Sequence, residues 1–203
     1  MKTITEELLL KLIKAAGAPH VKQKEPMKLH TTMEVGGPAA LFITPSSVEE
    51  IIAVMKIIRE EGVMYDILGK GSNVICKDRG YQGVIIGLSD FFKGYQIQQR
   101  GNGYAMVSVK AGTSNQQFSD ACISQGLSGF EFASGIPGTI GGGLRMNAGA
   151  YGSEFKDIVT SAVLLLPDGS VRSFSHDELA FRYRETVVMD LHAVVLSVAF
   201  GLE

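Results

Sequence analysis

The sequence predicts an α+β fold in two lobes that divide near residue 90. Three observations predict it. Up to about residue 75, amphipathic helical stretches alternate with short apolar runs, the order of an α/β unit. From about residue 80 onward, short strand signals follow one another across glycine turns. The 203 residues are 45% hydrophobic, enough for one large core or two small ones, and show no internal repeat or low-complexity segment.

The elements follow in order. Thr3 and Glu6 have capping-box spacing, and Leu8, Leu9, Leu12, Ile13 and Ala16 make one apolar stripe. With Gly17 as the stop, this predicts a helix from about Ile4 to Ala16. Residues 18–38 hold prolines, charges and "GGP" and read as loop. "AALFITP" reads as a strand. Ser47 with Glu50 opens a second helix, "VEEIIAVMKIIREEG", closed by Gly62. "MYDILG" is the next strand, followed by the loop "GKGSNVI". "GVIIGL", "GYQIQQ" and "GYAMVSVKAG" are further strands, and "TSNQQFSDACISQG" is a helix with Thr113 as its N-cap. "IVTSAVLLLPDGSVRSF" is a hairpin around a Pro-Asp-Gly turn, "HDELAF" a helical turn, and "HAVVLSVAF" the last strand.

Composition excludes several classes. A net charge of −2 leaves no electrostatic footprint for nucleic acid or an anionic membrane. Apolar runs such as "AVLLL" and "AVVLSVAF" are too short to span a bilayer. The opening "MKTITEELLLKLIKAAG" is punctuated by charges, unlike a signal peptide. Cys76 and Cys122 are far apart and read as reduced thiols in a cytoplasmic protein. His20, His30, His176 and His192 are scattered without ligand spacing, so no metal site is expected.

Two stretches concentrate chemistry. In "LGKGSNVI", Gly69 and Gly71 free the backbone, and Ser72 and Asn73 add side-chain donors. Two readings stand: a strand-to-strand turn, or a nest of N–H groups for a pyrophosphate. It is neither a Walker A loop nor a dinucleotide fingerprint, because the glycine spacing is wrong and no helix pattern opens behind it. The run "SGIPGTIGGGLRMNAGAYG" repeats the logic on a larger scale. Gly135, Gly138, Gly141, Gly142 and Gly143 would leave N–H groups accessible, Ser134 and Thr139 add hydroxyls, and Asn147 reads a ring edge or holds a loop. A tight crossover packed on a helix is the alternative. Two donor-rich loops in one chain favour a ligand with two phosphates between rings.

"LHTTMEVGGPA", "LGKGSNVI", the glycine run and "FRYRETV", in that order, resemble the UDP-N-acetylenolpyruvoylglucosamine reductase family of peptidoglycan synthesis. The resemblance implies a two-lobed PCMH-type fold, with FAD held between two α+β subdomains, residues 1–90 and 91–203. It implies NADPH as hydride donor and UDP-N-acetylglucosamine enolpyruvate as substrate. Cofactor contacts would be Leu68, Gly69, Lys70, Gly71, Ser72, Asn73 and Val74, with Gly69, Gly71, Ser72 and Asn73 on the pyrophosphate. Ser134, Gly135, Ile136, Pro137, Gly138, Thr139, Ile140, Gly141, Gly142, Asn147 and Gly149 would follow along the flavin and ribityl chain. Tyr183 would contact substrate. Arg184 would be catalytic, because hydride delivery to an enolpyruvyl double bond builds negative charge that a guanidinium can hold. From spacing alone, Arg184 pairs with Glu185 or Asp177. Tyr151 stacks on the cofactor or packs a turn.

Family members continue into a third, substrate-binding domain that carries a serine proton donor and a glutamate. No serine among these 203 residues matches that motif. The chain is then a fragment, a short relative, or one that borrows the domain from a second chain. Impaired turnover is expected, as is an uncovered flavin face that predicts a homodimer or exposed apolar patches.

Overall fold

The computed structural model describes residues 4–100 and 103–203. The chain divides into two compact units, Met1–Phe92 and Lys93–Glu203.

The first unit is a four-stranded sheet with a helix pair. Helix α1 (Glu6–Ala16) is capped by Thr5, whose Oγ1 accepts from the Leu8 N–H, and it buries Leu8, Leu12 and Ala16. Thr3 lies outside the described residues; the cap two positions later starts the helix at Glu6 instead of Ile4. Strand β1 (Val21–Pro26) crosses the stretch read as loop and pairs antiparallel with β2 (Pro38–Ile43). Its "VKQKEP" carries three consecutive exposed residues and ends in proline, so as an edge strand it gives no apolar signal. Helix α2 (Val48–Glu61) is capped by Ser47, and Gly62 ends it in the left-handed conformation. Strands β3 (Tyr65–Leu68) and β4 (Tyr81–Gly87) complete the sheet, ordered β1-β2-β4-β3, with β4 parallel to both neighbours. Met27, Ala39, Phe42, Leu68 and Ile85 form a buried cluster on it. Lys11 ties α1 to α2 through Glu61 at 2.8 Å and also meets Glu7 at 2.9 Å.

The second unit is a five-stranded antiparallel sheet: β5 (Tyr95–Arg100), β6 (Tyr104–Lys110), β9 (Val159–Leu165), β10 (Val171–Ser175) and β11 (Val194–Leu202). Its order is β10-β9-β11-β6-β5, and a small ribbon, β7 (Gly149–Ala150) with β8 (Ser153–Glu154), lies outside it. Helix α3 (Asn115–Ser124) is capped by Ser114, whose oxygen accepts from the Gln117 N–H. The expected cap, Thr113, instead exchanges hydrogen bonds with Gly94, one residue too early to reach the helix. Phe118, Phe130, Phe155 and Phe200 are fully buried, with neighbouring rings such as Phe118 and Phe130 edge-on at 4.7 Å. Helix α4 (Ile140–Arg145) packs on β11, and α5 (Val187–Asp190) is one turn before it. Among the described residues no helix is long and apolar enough to cross a membrane.

Candidate functional site

The first-unit loop leaves β3 at Leu68, whose carbonyl accepts from the Leu88 N–H at 2.9 Å. Gly71 has φ +64, and a Cβ there would lie 2.1 Å from the His30 carbonyl oxygen. Glycine is therefore required twice over, by conformation and by contact. The Gly71 carbonyl accepts from the Thr32 N–H at 3.2 Å, so residues 30–32 buttress the loop. Among the described residues, the N–H groups of Gly69, Lys70, Gly71 and Asn73 make no hydrogen bond within the protein. That is the donor set of an anion nest. Lys70, Asn73 and Val74 are exposed. Leu68 and Val74 also line a largely apolar pocket of ≈ 330 Å³ with Met27, Cys76 and Tyr81.

His30, read from sequence as an ordinary loop residue, carries the buttress. Its Nε2 lies 2.8 Å from Glu25 Oε1, and its ring stacks on Phe42 at 3.9 Å. Burial opposes ionisation of Glu25, but hydrogen bonds from His30 and Lys22 outweigh it and hold the carboxyl below its ordinary range.

The glycine run of the second unit does three separate jobs. The Ser134 and Ile136 N–H groups close a turn onto Glu131 and Ala133. The N–H groups of Gly135, Gly138 and Thr139 have no partner among the described residues. Gly138 has φ +142, and nothing lies within 4 Å of a Cβ on Gly135. These positions can face a ligand. The rest of the run is packing, which corrects the expectation of open amides throughout. Ile140 donates to the Thr113 carbonyl, Gly141 to Ala111, and Gly143 to Thr139, all at 2.9 Å or less. Gly142 donates to Thr139 Oγ1, so that hydroxyl caps α4 as an acceptor. A Cβ on Gly141 would meet Ala111 Cβ at 2.8 Å, and one on Gly143 the Phe155 ring at 2.4 Å. Ile140 is fully buried in the core.

Asn147 is also a structural residue, holding a loop instead of reading a ring. It is buried with φ +40. Its Nδ2 donates to Glu154 Oε2 at 2.7 Å and to the Arg182 carbonyl at 3.0 Å, and its Oδ1 accepts from the Lys156 N–H. The amide has no donor left for a ligand. Gly149 is a packing glycine: a Cβ would sit 2.7 Å from the Ser153 carbonyl.

Asn147 thereby joins the β7–β8 ribbon to the turn at residues 182–185. Arg182 and Glu185 exchange backbone hydrogen bonds, leaving Tyr183 and Arg184 at the tip. Tyr183 is 83% exposed. Arg184 has φ +57, a position that a turn of this shape normally gives to glycine or asparagine. Its guanidinium lies 5.5 Å from the Tyr183 ring centre and donates to the Gly149 carbonyl at 3.3 Å. The expected ion pair with Glu185 belongs to Arg182, which also holds Asp190 at 2.6 Å. Among the described residues Arg184 forms no salt bridge, though, behind hydrogen bonds from Lys156 and Asn147, its charge helps hold the Glu154 carboxyl below its ordinary range. Tyr151, at the ribbon's turn with φ +53, is 94% exposed, so it does not pack the turn. Among the described residues no group of His, Cys, Asp or Glu could hold a metal ion.

Residues 39–175 match the family described as an FAD binding domain. UDP-N-acetylenolpyruvoylglucosamine reductase of Clostridioides difficile (strain 630) is 38% identical over 198 residues, 98% of this chain and 64% of that protein. The reductase of Alkaliphilus oremlandii is 40% identical over 179 residues, covering 88% and 57%. The crystal structure of UDP-N-acetylenolpyruvylglucosamine reductase (MurB) from Thermus caldophilus superposes with a TM-score of 0.74 at 30% identity, over 90% of this chain and 62% of that one. p-Cresol methylhydroxylase, at 16% identity and TM-score 0.68, shares the fold. The chain thus spans a little under two thirds of the length of these reductases.

Proposed function

The chain belongs to the FAD binding domain family, and we propose that it is the FAD-binding part of a UDP-N-acetylenolpyruvoylglucosamine reductase. The donor set fits the cofactor: a pyrophosphate needs several N–H groups, and among the described residues the amides of Gly69, Lys70, Gly71 and Asn73 in the first unit, and of Gly135, Gly138 and Thr139 in the second, have no protein partner. Gly69, Gly71, Ser72 and Asn73 take the pyrophosphate. Gly135, Ile136, Pro137 and Gly138 run along the ribityl chain and flavin. When bound, FAD supplies hydride exchange between NADPH and the enolpyruvyl double bond of UDP-N-acetylglucosamine enolpyruvate.

The observation that carries the reductase reading is Arg184. A cation that forms no salt bridge among the described residues, with only the longer-range field of Glu154 acting on it, is kept in a turn at positive φ beside an exposed tyrosine. There it holds the negative charge that develops next to the substrate carboxylate, and Tyr183 contacts the same substrate. A homodimer remains part of the proposal, and light scattering showing a strict monomer counts against it.

The test is spectroscopic and then kinetic. Purified protein titrated with FAD is expected to take up one flavin, and NADPH is expected to be oxidised when the enolpyruvyl substrate is added. Absence of FAD uptake defeats the proposal. Uptake without NADPH oxidation supports the second reading, a flavin-binding protein without turnover.

A further inference from the structure

Asn115 opens α3 and is 1% exposed. Its backbone N–H donates to the Gly138 carbonyl at 3.2 Å, and its Nδ2 donates to the Ile136 carbonyl at 3.1 Å. One residue therefore fixes the carbonyl on each side of Pro137. Its Oδ1 is buried with no hydrogen-bond partner among the described residues. Turning the amide over gives no relief, because Oδ1 would then face the Ile136 oxygen, acceptor against acceptor. A buried acceptor left unpaired is costly; an apolar side chain of similar volume removes that cost but also takes the donor from the Ile136 carbonyl, so the two effects on stability oppose each other. Stability alone therefore does not account for asparagine here. What the amide supplies is a fixed direction for the Ile136 carbonyl, beside the unpaired N–H groups of Gly135, Gly138 and Thr139.

We propose that Asn115 is a positioning residue for the flavin-contacting loop, keeping the Ile136–Thr139 backbone in its binding geometry at the expense of one unpaired buried acceptor. This rests on the FAD reading above. Nothing in the sequence marks Asn115 for this role; it sits in a helix start like any other polar residue.

The test compares FAD and ADP affinities of wild type, Asn115→Leu and Asn115→Ala by titration calorimetry, with the melting temperature of each ligand-free protein. ADP carries the pyrophosphate but neither ribityl chain nor flavin. FAD affinity is expected to fall about tenfold in Asn115→Leu, the factor that one buried hydrogen bond commands. ADP affinity is expected to hold, and the ligand-free melting temperature to change little, since the lost hydrogen bond and the relieved acceptor offset. Unchanged FAD affinity, or equal losses for FAD and ADP, overturns the proposal. Should the leucine variant fail to fold, the alanine variant carries the same comparison, and failure of both makes Asn115 a folding residue and overturns it too. Wild type that binds neither FAD nor ADP defeats the cofactor reading and this inference together. Wild type that binds FAD beside variants that bind it equally defeats this inference alone.

Discussion

Replacing Arg184 by alanine and by glycine separates stability from chemistry at one position. Both substitutions remove the 3.3 Å hydrogen bond to the Gly149 carbonyl and the contact over Tyr183. These contacts are long and solvent-exposed, and together they contribute about 1 kcal/mol. Alanine keeps the φ of +57, which costs a side-chain-bearing residue about 1 kcal/mol; glycine does not. The expected order is therefore wild type about equal to Arg184→Gly, with Arg184→Ala about 1 kcal/mol below both. For a chain of this size that gap is about 2–4 °C in melting temperature, readable by differential scanning fluorimetry. Both variants are expected to lose substrate-dependent NADPH oxidation by roughly 100-fold or more, the scale of removing one donor to a developing anion. A glycine variant no more stable than the alanine variant would refute the strain argument. A glycine variant that turns over like wild type would refute the role given to the guanidinium.

Three further outcomes follow from the packing. Gly143→Ala drives a Cβ to 2.4 Å from the Phe155 ring and is expected to destabilise by about 1–3 kcal/mol, whereas Gly142→Ala meets nothing closer than 3.6 Å and is expected to stabilise α4 by about 0.8 kcal/mol, both by urea denaturation. Gly71→Ala forces both a positive φ and a 2.1 Å contact with the His30 oxygen, so FAD affinity is expected to fall by at least tenfold even in protein that still folds. Glu25 has a folded pKa below its ordinary 4.5, so its contribution to stability is present above that value and lost as pH falls through the lowered one. Glu25→Gln is therefore expected to be destabilising near neutral pH, with the gap to wild type closing in acid; a gap independent of pH would contradict the pairing with His30 and Lys22.

Much of the fold was legible because the relevant physics is local. The apolar stripes of α1 and α2, the Ser47 cap of α2, and the Pro-Asp-Gly turn between β9 and β10 depend on residues a few positions apart. Strand β1 was hidden because an exposed edge strand needs no apolar alternation. Helix α4 was hidden because three glycines carry the lowest helix propensity after proline. Its signal was nonetheless present in Thr139 as a cap for Gly142, and in Ile140 and Leu144 one turn apart. The site divides in the same way. That the glycine run holds backbone donors was readable; which donors are spent was not, since Gly141 gives its proton to Ala111, thirty positions earlier. Spacing could not tell Arg182 from Arg184 as partner of Glu185, because the turn that decides it is closed by backbone bonds. The roles of His30 and Asn147 rest on contacts with Gly71 and Arg182, which no local pattern announces.

Amide hydrogen exchange, followed by NMR with and without FAD, probes the backbone donors one by one. Gly69, Gly71, Asn73, Gly135 and Gly138 are expected to exchange fast in the free protein and to become protected when FAD is added. Gly141 and Gly143, already bonded within the fold, are expected to change little. Binding of FAD that leaves the first group of amides exchanging as before would contradict the proposed FAD contacts.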